Sequence, residues 1–324
     1  MRLPTRAPPS MTRRRAAALG VAVAAAASMP IRAQETAPVV ALARSRDLAL
    51  TLPDGRAYRL MMWVPPGDPP ASGWPVIYFT DANAVFGLFA GTLGLRARRR
   101  DDGGLAPAVL VGIGYPGDAP FDVVRRTLDL TPEVARERLG RRPDGSPWPP
   151  SGGAAAFLQA IEDSIKPRIE RAVPIDRARQ TLFGHSFGGL FALNVLFTRP
   201  GAFQTYIAGS PSIWFGDGRI LELERAFAKV PAASAPAARL MIGVGAWEQE
   251  LSPAERAGPD PQKRQAWKRR NRMVDNAREM ASRLAALQSP RLRVRFREFA
   301  DEDHISVLPV LISHALDFAL RPST

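Results

Sequence analysis

Leu182-Phe183-Gly184-His185-Ser186-Phe187-Gly188-Gly189-Leu190 sets a serine between two glycines, with apolar residues before it and a helix-like run after it. The spacing G-x-S-x-G in that setting predicts a nucleophile elbow, with a strand over Arg179–Phe183 entering it and a helix over Leu190–Phe197 leaving it. The chain must reverse at Ser186, so the serine takes a strained backbone. Residues without side chains two before and two after it let the two arms pass without a Cβ clash. The reversal lifts the hydroxyl above the edge of a sheet and aims the Phe187 N–H at the place where an oxyanion would form. Five residues alone would also suit an ordinary glycine-rich turn; the flanking strand and helix favour the nucleophile.

Outward from the elbow, strands alternate with helices. Ser45–Leu52 and Ala57–Val64 alternate about the turn Pro53-Asp54-Gly55-Arg56 and read as two strands. Trp74–Thr80 and Ala106–Ile113 read as short, buried, parallel strands. The stretch from Asp81 to Phe86 is expected to be a loop at the carboxyl end of its strand, where open parallel sheets collect active-site groups. Ala154–Val173 has helical spacing of apolar residues. Ala202–Ile207 leads into a strand end and the loop Ala208–Phe215, and Ile220–Lys229 into a helix. Ala238–Gly245 and Leu292–Phe299 read as the last two strands, Arg269–Leu287 as an amphipathic helix between them, and Leu308–Leu320 as the closing helix. Two insertions interrupt the alternation, at 132–153 and 251–268. The expected fold class is α/β: an α/β-hydrolase fold with a mostly parallel central sheet, helices on both faces and lid-like insertions.

Composition narrows the chemistry. The chain has 324 residues, no cysteine and three histidines, His185, His304 and His314. Disulfides, thiolate nucleophiles and cysteine metal sites are excluded, and any histidine base comes from those three. No metal or cofactor is called for. Residues 1–33 read as an export signal. Thr12-Arg13-Arg14-Arg15 precedes an alanine-rich run too short and too weakly apolar to span a bilayer, which resembles a twin-arginine signal, with an ordinary secretory signal as the alternative. The expected location is periplasmic or secreted, with no membrane anchor after signal removal. Residues 34–324 form one catalytic domain. Of the formal charge of +13, six arginines lie ahead of Glu35, leaving +7 for the remainder. These cations are dispersed, and Arg98-Arg99-Arg100 and Lys268-Arg269-Arg270 read as solvated faces. No basic cluster interleaved with aromatics suggests nucleic acid.

The triad order of this fold is serine, acid, histidine. Ser186 fills the first slot. Glu248 and Glu250 follow the penultimate strand, and His304 follows the last one. His185 sits inside the elbow, with its side chain expected to point away from the reaction, and His314 inside the terminal helix. Glu248 is favoured over Glu250, and a serine–histidine dyad without an acid stays open. Asp301, Glu302 and Asp303 are too near His304 in sequence and are expected to shape its loop. The oxyanion hole would combine the Phe187 N–H with an N–H of Asn83 or Ala82.

Further stretches carry a resemblance. Gly184–Leu193, Ser210-Pro211-Ser212-Ile213-Trp214 and Asp303-His304-Ile305-Ser306-Val307 resemble the esterase D-type "putative esterase" family, in its siderophore-esterase branch. Val111–Pro116, the run from Arg125 to Pro132 and Arg272–Ala277 add to the likeness, which spans roughly residues 40 to 320. It implies that Ser186 and His304 are nucleophile and base, that the acid position varies, and that Trp214 belongs to an aromatic wall. It also implies that Arg125 or Arg126 meets an anionic catecholate, the alternative being a pair with Asp129. Asp81-Ala82-Asn83 stands where the family often has Asp-Gly-Asn, and Trp214-Phe215 where two tryptophans are usual. The expected function is that of a serine carboxylesterase acting on a small-molecule ester, with a ferric siderophore trilactone as the candidate. The alternatives are another acyl ester or thioester, and a noncatalytic binding protein on the same scaffold.

Overall fold

The computed structural model describes residues 41–97, 104–142, 144–231 and 236–321. The export signal expected over residues 1–33 lies outside them. Eight strands form one sheet in the order β1-β2-β4-β3-β5-β6-β7-β8. They are β1 (Ser45–Thr51), β2 (Ala57–Trp63), β3 (Trp74–Thr80), β4 (Val109–Gly114), β5 (Ile175–His185), β6 (Thr205–Gly209), β7 (Ala238–Gly245) and β8 (Leu292–Phe299). β1 and β2 pair antiparallel, as do β2 and β4; every other pairing is parallel. The helices are α1 (Ala82–Arg96), α2 (Val123–Leu130), α3 (Ala154–Ala160), α4 (Lys166–Glu170), α5 (Phe187–Thr198), α6 (Phe215–Ala228), α7 (Pro253–Arg256), α8 (Pro261–Asn271), α9 (Met273–Ala286) and α10 (Val307–Leu320).

The two-residue period of a strand feeds two cores. Tyr78 and Leu182 point into one, with α3, α5 and α9; their chain neighbours Phe79 and Phe183 point into the other, with α1 and α10. This double burial explains why β3 reads as an unbroken apolar run. None of the described helices is long and apolar enough to cross a membrane.

Three sequence expectations change. Asp81–Phe86 is not a loop: α1 starts at Ala82, directly after Asp81. Gly87, Gly91 and Gly94 depress helix propensity there by about 1 kcal/mol each. Packing overrides them: Phe89 stacks on Phe79 at 4.1 Å and meets Phe183 edge-on at 4.9 Å. The insertion at 251–268 carries α7 and most of α8, and the helix expected over Arg269–Leu287 is broken at Arg272, whose φ of 47° starts α9 afresh. Lys268 is no solvated face. Its side chain is 13% exposed, and its Nζ donates to the carbonyls of Trp247 and Glu250 and to Glu255.

Candidate active site

The elbow forms where β5 meets α5. Ser186 has φ 60° and ψ −117°, a conformation that costs about 1–3 kcal/mol and persists only when its surroundings impose it. They do so through the backbone: the Ser186 N–H donates to the Gly209 carbonyl at 2.9 Å, and the Ser186 carbonyl accepts from Leu190 N–H at 3.0 Å and Ser212 N–H at 3.2 Å. A Cβ at Gly184 would overlap the Gly188 carbonyl oxygen, and one at Gly188 would overlap Thr80 Oγ1. Both glycines are therefore steric requirements, and the second shows the end of β3 pressed against the elbow.

The next parallel strands bring up the partners. After β7 the chain makes a tight turn that buries Glu248, whose side chain is 1% exposed. One oxygen, Oε1, accepts from Gly245 N–H at 2.8 Å and from Ser210 Oγ at 2.5 Å. The other, Oε2, lies 2.6 Å from His304 Nδ1. After β8, Asp303 accepts from the N–H groups of Ile305 and Ser306, while its own N–H donates to Ser306 Oγ, so it shapes the loop as expected. Trp247 N–H donates to the Glu302 carbonyl at 3.0 Å, which ties the histidine loop to the acid turn. Glu250 is exposed and lies 3.7 Å from Arg269. Of the two candidate acids, Glu248 is the one on the histidine.

Ser186, Ser212, Trp214, Glu248 and His304 line one cavity of about 1110 Å³. Ser212 Oγ lies 3.5 Å from Ser186 Oγ. His185 is buried behind the elbow, and its ring centroid is 4.6 Å from that of His304. It does not line the cavity and packs against the second imidazole. Burial, and then the nearby His304 and Arg126, hold it neutral well below the usual histidine range. His314 lies against the Phe299 ring on α10.

The end of β3 runs directly into α1. Asp81 adopts a left-handed conformation, φ 56°, ahead of the first helical N–H groups, those of Ala82 and Asn83, which lack intrahelical acceptors. The Asn83 side chain does not enter the cavity. It donates to the carbonyls of Tyr115 and Gly117 and accepts from Tyr115 N–H, clamping α1 to the end of β4.

Arg125 and Arg126, expected at the substrate, are both engaged with carboxylates and neither lines the cavity. Arg125 lies 3.5 Å from Asp129 and over the rings of Tyr58 and Tyr115. Arg126 makes a two-pronged bond to Asp81, at 2.9 and 3.0 Å, and lies over the Phe187 ring. Burial works against its charge, but Asp81 outweighs burial and raises its pKa. A fixed positive charge thus stands beside the elbow and holds the strained residue that starts α1.

The sequence motifs assign no role to Ser210, Ser212, Trp148 and Trp267. Ser210 has φ 41° and bonds the acid; its only sequence signal was the strand-end motif Ser210-Pro211-Ser212. Trp148 and Trp267 lie in the two insertions, where no periodicity marks a contact. Among the described residues no group of histidines and carboxylates could hold a metal ion.

This arrangement has relatives. Residues 54–284 match the family described as "Putative esterase". The chain is 44% identical over 269 residues to the ferri-bacillibactin esterase BesA of Bacillus subtilis, covering 83% of this chain and 86% of that protein. It is 36% identical to the siderophore enterobactin esterase of Emericella nidulans, covering 80% and 86%. Among solved structures it superposes on the BES protein of Bacillus cereus with a TM-score of 0.77 and 34% identity, covering 88% of this chain and 99% of that one. The siderophore hydrolase EstA of Aspergillus nidulans gives 0.75 and 33%, covering 87% and 96%. These matches run through the elbow, the acid turn and most of the sheet, and they make the chain a hydrolase of the α/β-hydrolase fold that belongs to the putative esterase family, in its siderophore-esterase branch.

Proposed function

We propose that the protein is an exported serine esterase that opens the lactone bonds of siderophores through an acyl-enzyme. The observation that carries the mechanism is the 2.6 Å contact between Glu248 Oε2 and His304 Nδ1, in the cavity that Ser186 lines. A carboxylate on Nδ1 keeps the proton there and leaves Nε2 free to accept one. His304 takes the Ser186 proton as Oγ attacks the ester carbonyl. The oxyanion is met by the Phe187 N–H and an N–H of Ala82 or Asn83, the start of α1 being held by the Arg126–Asp81 pair. His304 then protonates the leaving alcohol. Water, deprotonated in turn by His304, attacks the Ser186 ester and releases the acid.

The siderophore substrate rests on the relatives, whose names specify ferri-bacillibactin, enterobactin, triacetylfusarinine C and salmochelin. Export rests on Arg13-Arg14-Arg15 and the alanine-rich run behind them. The test is hydrolysis by wild type and Ser186→Ala of p-nitrophenyl butyrate and of catecholate trilactones, iron-loaded and iron-free. The variant is expected to lose both activities while keeping its melting temperature. Retained hydrolysis would remove Ser186 from the reaction; aryl-ester turnover without trilactone turnover would leave an esterase for another ester.

A further inference from the structure

The cavity holds a second set of side chains that the acyl chemistry does not use. Trp214 meets Trp267 of α8 edge-on, with ring centroids 5.7 Å apart, and Trp148 at 5.9 Å, so three indoles run in one strip. Each outer indole carries a guanidinium on its face: Arg270 at 4.6 Å over Trp267, and Arg142 at 6.0 Å over Trp148. Arg142, Trp214, Trp267 and Arg270 line the same cavity as Ser186 and His304.

The charges around this strip are unevenly committed. Glu248 is taken by His304, and Glu255 by Lys268 and Arg264. Asp303 is taken by loop N–H groups, and Asp144 by Ser146 with Arg142 3.9 Å away. Among the described residues neither Arg270 nor Lys263 makes an ion pair, and Asp260 at the start of α8 is the one cavity carboxylate without a partner. The strip therefore offers flat apolar surface with the unpaired Arg270 guanidinium at one end and Arg142, 3.9 Å from Asp144, at the other. A planar aromatic ring can lie on the indoles while its anionic oxygens meet the arginines. A neutral aliphatic group would cover those cations and return nothing for their lost hydration, which discriminates against it.

We propose that Trp214, Trp267, Arg270 and Arg142 are the specificity-determining residues of this site, selecting an ester whose acyl part carries an anionic aromatic ring of the catecholate kind. The inference rests on the esterase reading above and moves anion recognition away from Arg125 and Arg126, which are spent on Asp129 and Asp81.

The test compares wild type with Arg142→Gln, Arg270→Gln, the double variant and Arg270→Lys on two substrates, an iron-loaded tris-catecholate trilactone and neutral p-nitrophenyl acetate. Both arginines are partly or fully exposed, so folding is not at stake. Each single Gln variant should raise KM for the trilactone about tenfold, equivalent to ~1.4 kcal/mol. The double variant should raise it about a hundredfold, with kcat and p-nitrophenyl acetate turnover within about twofold of wild type. Arg270→Lys should recover part of the loss, and salt should raise KM for the trilactone alone. An unchanged trilactone KM, or an equal loss on both substrates, overturns the inference and leaves the esterase standing. If wild type hydrolyses neither substrate, the esterase reading falls first.

Discussion

Replacing Glu248 by glutamine separates a working triad from a dyad with a buried bystander. The carboxylate has three partners of different adaptability. Ser210 Oγ can rotate its proton and the imidazole can change tautomer, but the Gly245 N–H is fixed by the backbone and must be accepted. A glutamine therefore keeps its oxygen on Gly245 and Ser210 and turns its NH2 group toward His304 Nδ1. That nitrogen must then accept, the imidazole proton moves to Nε2, and the atom facing the cavity can no longer take the serine proton. The equivalent wrong tautomer in serine proteases lowers kcat by about 10⁴, or roughly 5.4 kcal/mol of barrier. The expected result is a kcat loss of that order on p-nitrophenyl butyrate with KM little changed. Stability should hold, since every buried partner stays bonded. Glu248→Ala is the contrast: it leaves Gly245 N–H and Ser210 buried without an acceptor, which costs roughly 1–3 kcal/mol for each group. If Glu248→Gln retains kcat within about tenfold, the tautomer argument is wrong and His304 works without an acid.

Three other outcomes follow from the same geometry. Arg126→Gln should lower kcat by about 10²–10³ with a small change in KM, because Asp81 and the first N–H groups of α1 lose the grip that aims them; unchanged kcat would make the Arg126–Asp81 pair a purely structural contact. Ser210→Ala removes one hydrogen bond to a buried carboxylate, a loss of about 1.5–3 kcal/mol; chemical denaturation should read it together with a smaller loss of kcat than Glu248→Gln produces. His185 is held neutral by burial, so below its unfolded pKa of about 6.5 the unfolded chain binds a proton that the fold refuses. Stability should therefore fall as pH falls, by up to about 1.4 kcal/mol per pH unit from this group. Denaturant melts between pH 7 and pH 5 should show a shallower slope in His185→Leu, and identical slopes would refute the buried neutral imidazole.

The parts of the molecule that could be read from the chain are those where one local rule decides the outcome. The elbow is such a part, since a Cβ at position 184 or 188 has nowhere to go. The strands are another: the buried β3 and β7 and the half-exposed edge strand β8 begin and end where their apolar or alternating runs do. The histidine followed by elimination among three. What escaped was decided by tertiary contacts. The start of α1 is written in alanine and glycine, and only the phenylalanines stacked beneath it reveal a helix. The partner of Arg126 is 45 residues away, at the end of the strand beside β4, whereas Asp129 sits at helical spacing from Arg125 and does pair with it. The acid could be narrowed to Glu248 or Glu250, but only the turn after β7 decides which of them faces inward.

The two kinds of functional residue are held by different forces, and this bears on how the site could change. Ser186, Glu248 and His304 follow the ends of parallel strands; backbone hydrogen bonds fix Ser186 and Glu248, and Glu248 in turn holds His304. α8 has no such footing. Asn271 is its only buried residue, and left-handed residues bound it at both ends, Asp260 at φ 51° and Arg272 at φ 47°. It is attached through Lys268, the Gln265 bond to the Gln249 carbonyl, and the Trp267 contact with Trp214. Polar attachments of this sort contribute about 0.5–1.5 kcal/mol each, so α8 can be replaced or repositioned without unseating the triad. Its anchors nevertheless land on Trp247, Gln249 and Glu250, the neighbours of Glu248. A helix that selects the substrate and is pinned to the turn carrying the acid couples binding to chemistry, and Lys268, with two bonds to that turn, is the main link. Lys268→Met should therefore shift KM and kcat together, where Arg270→Gln shifts KM alone.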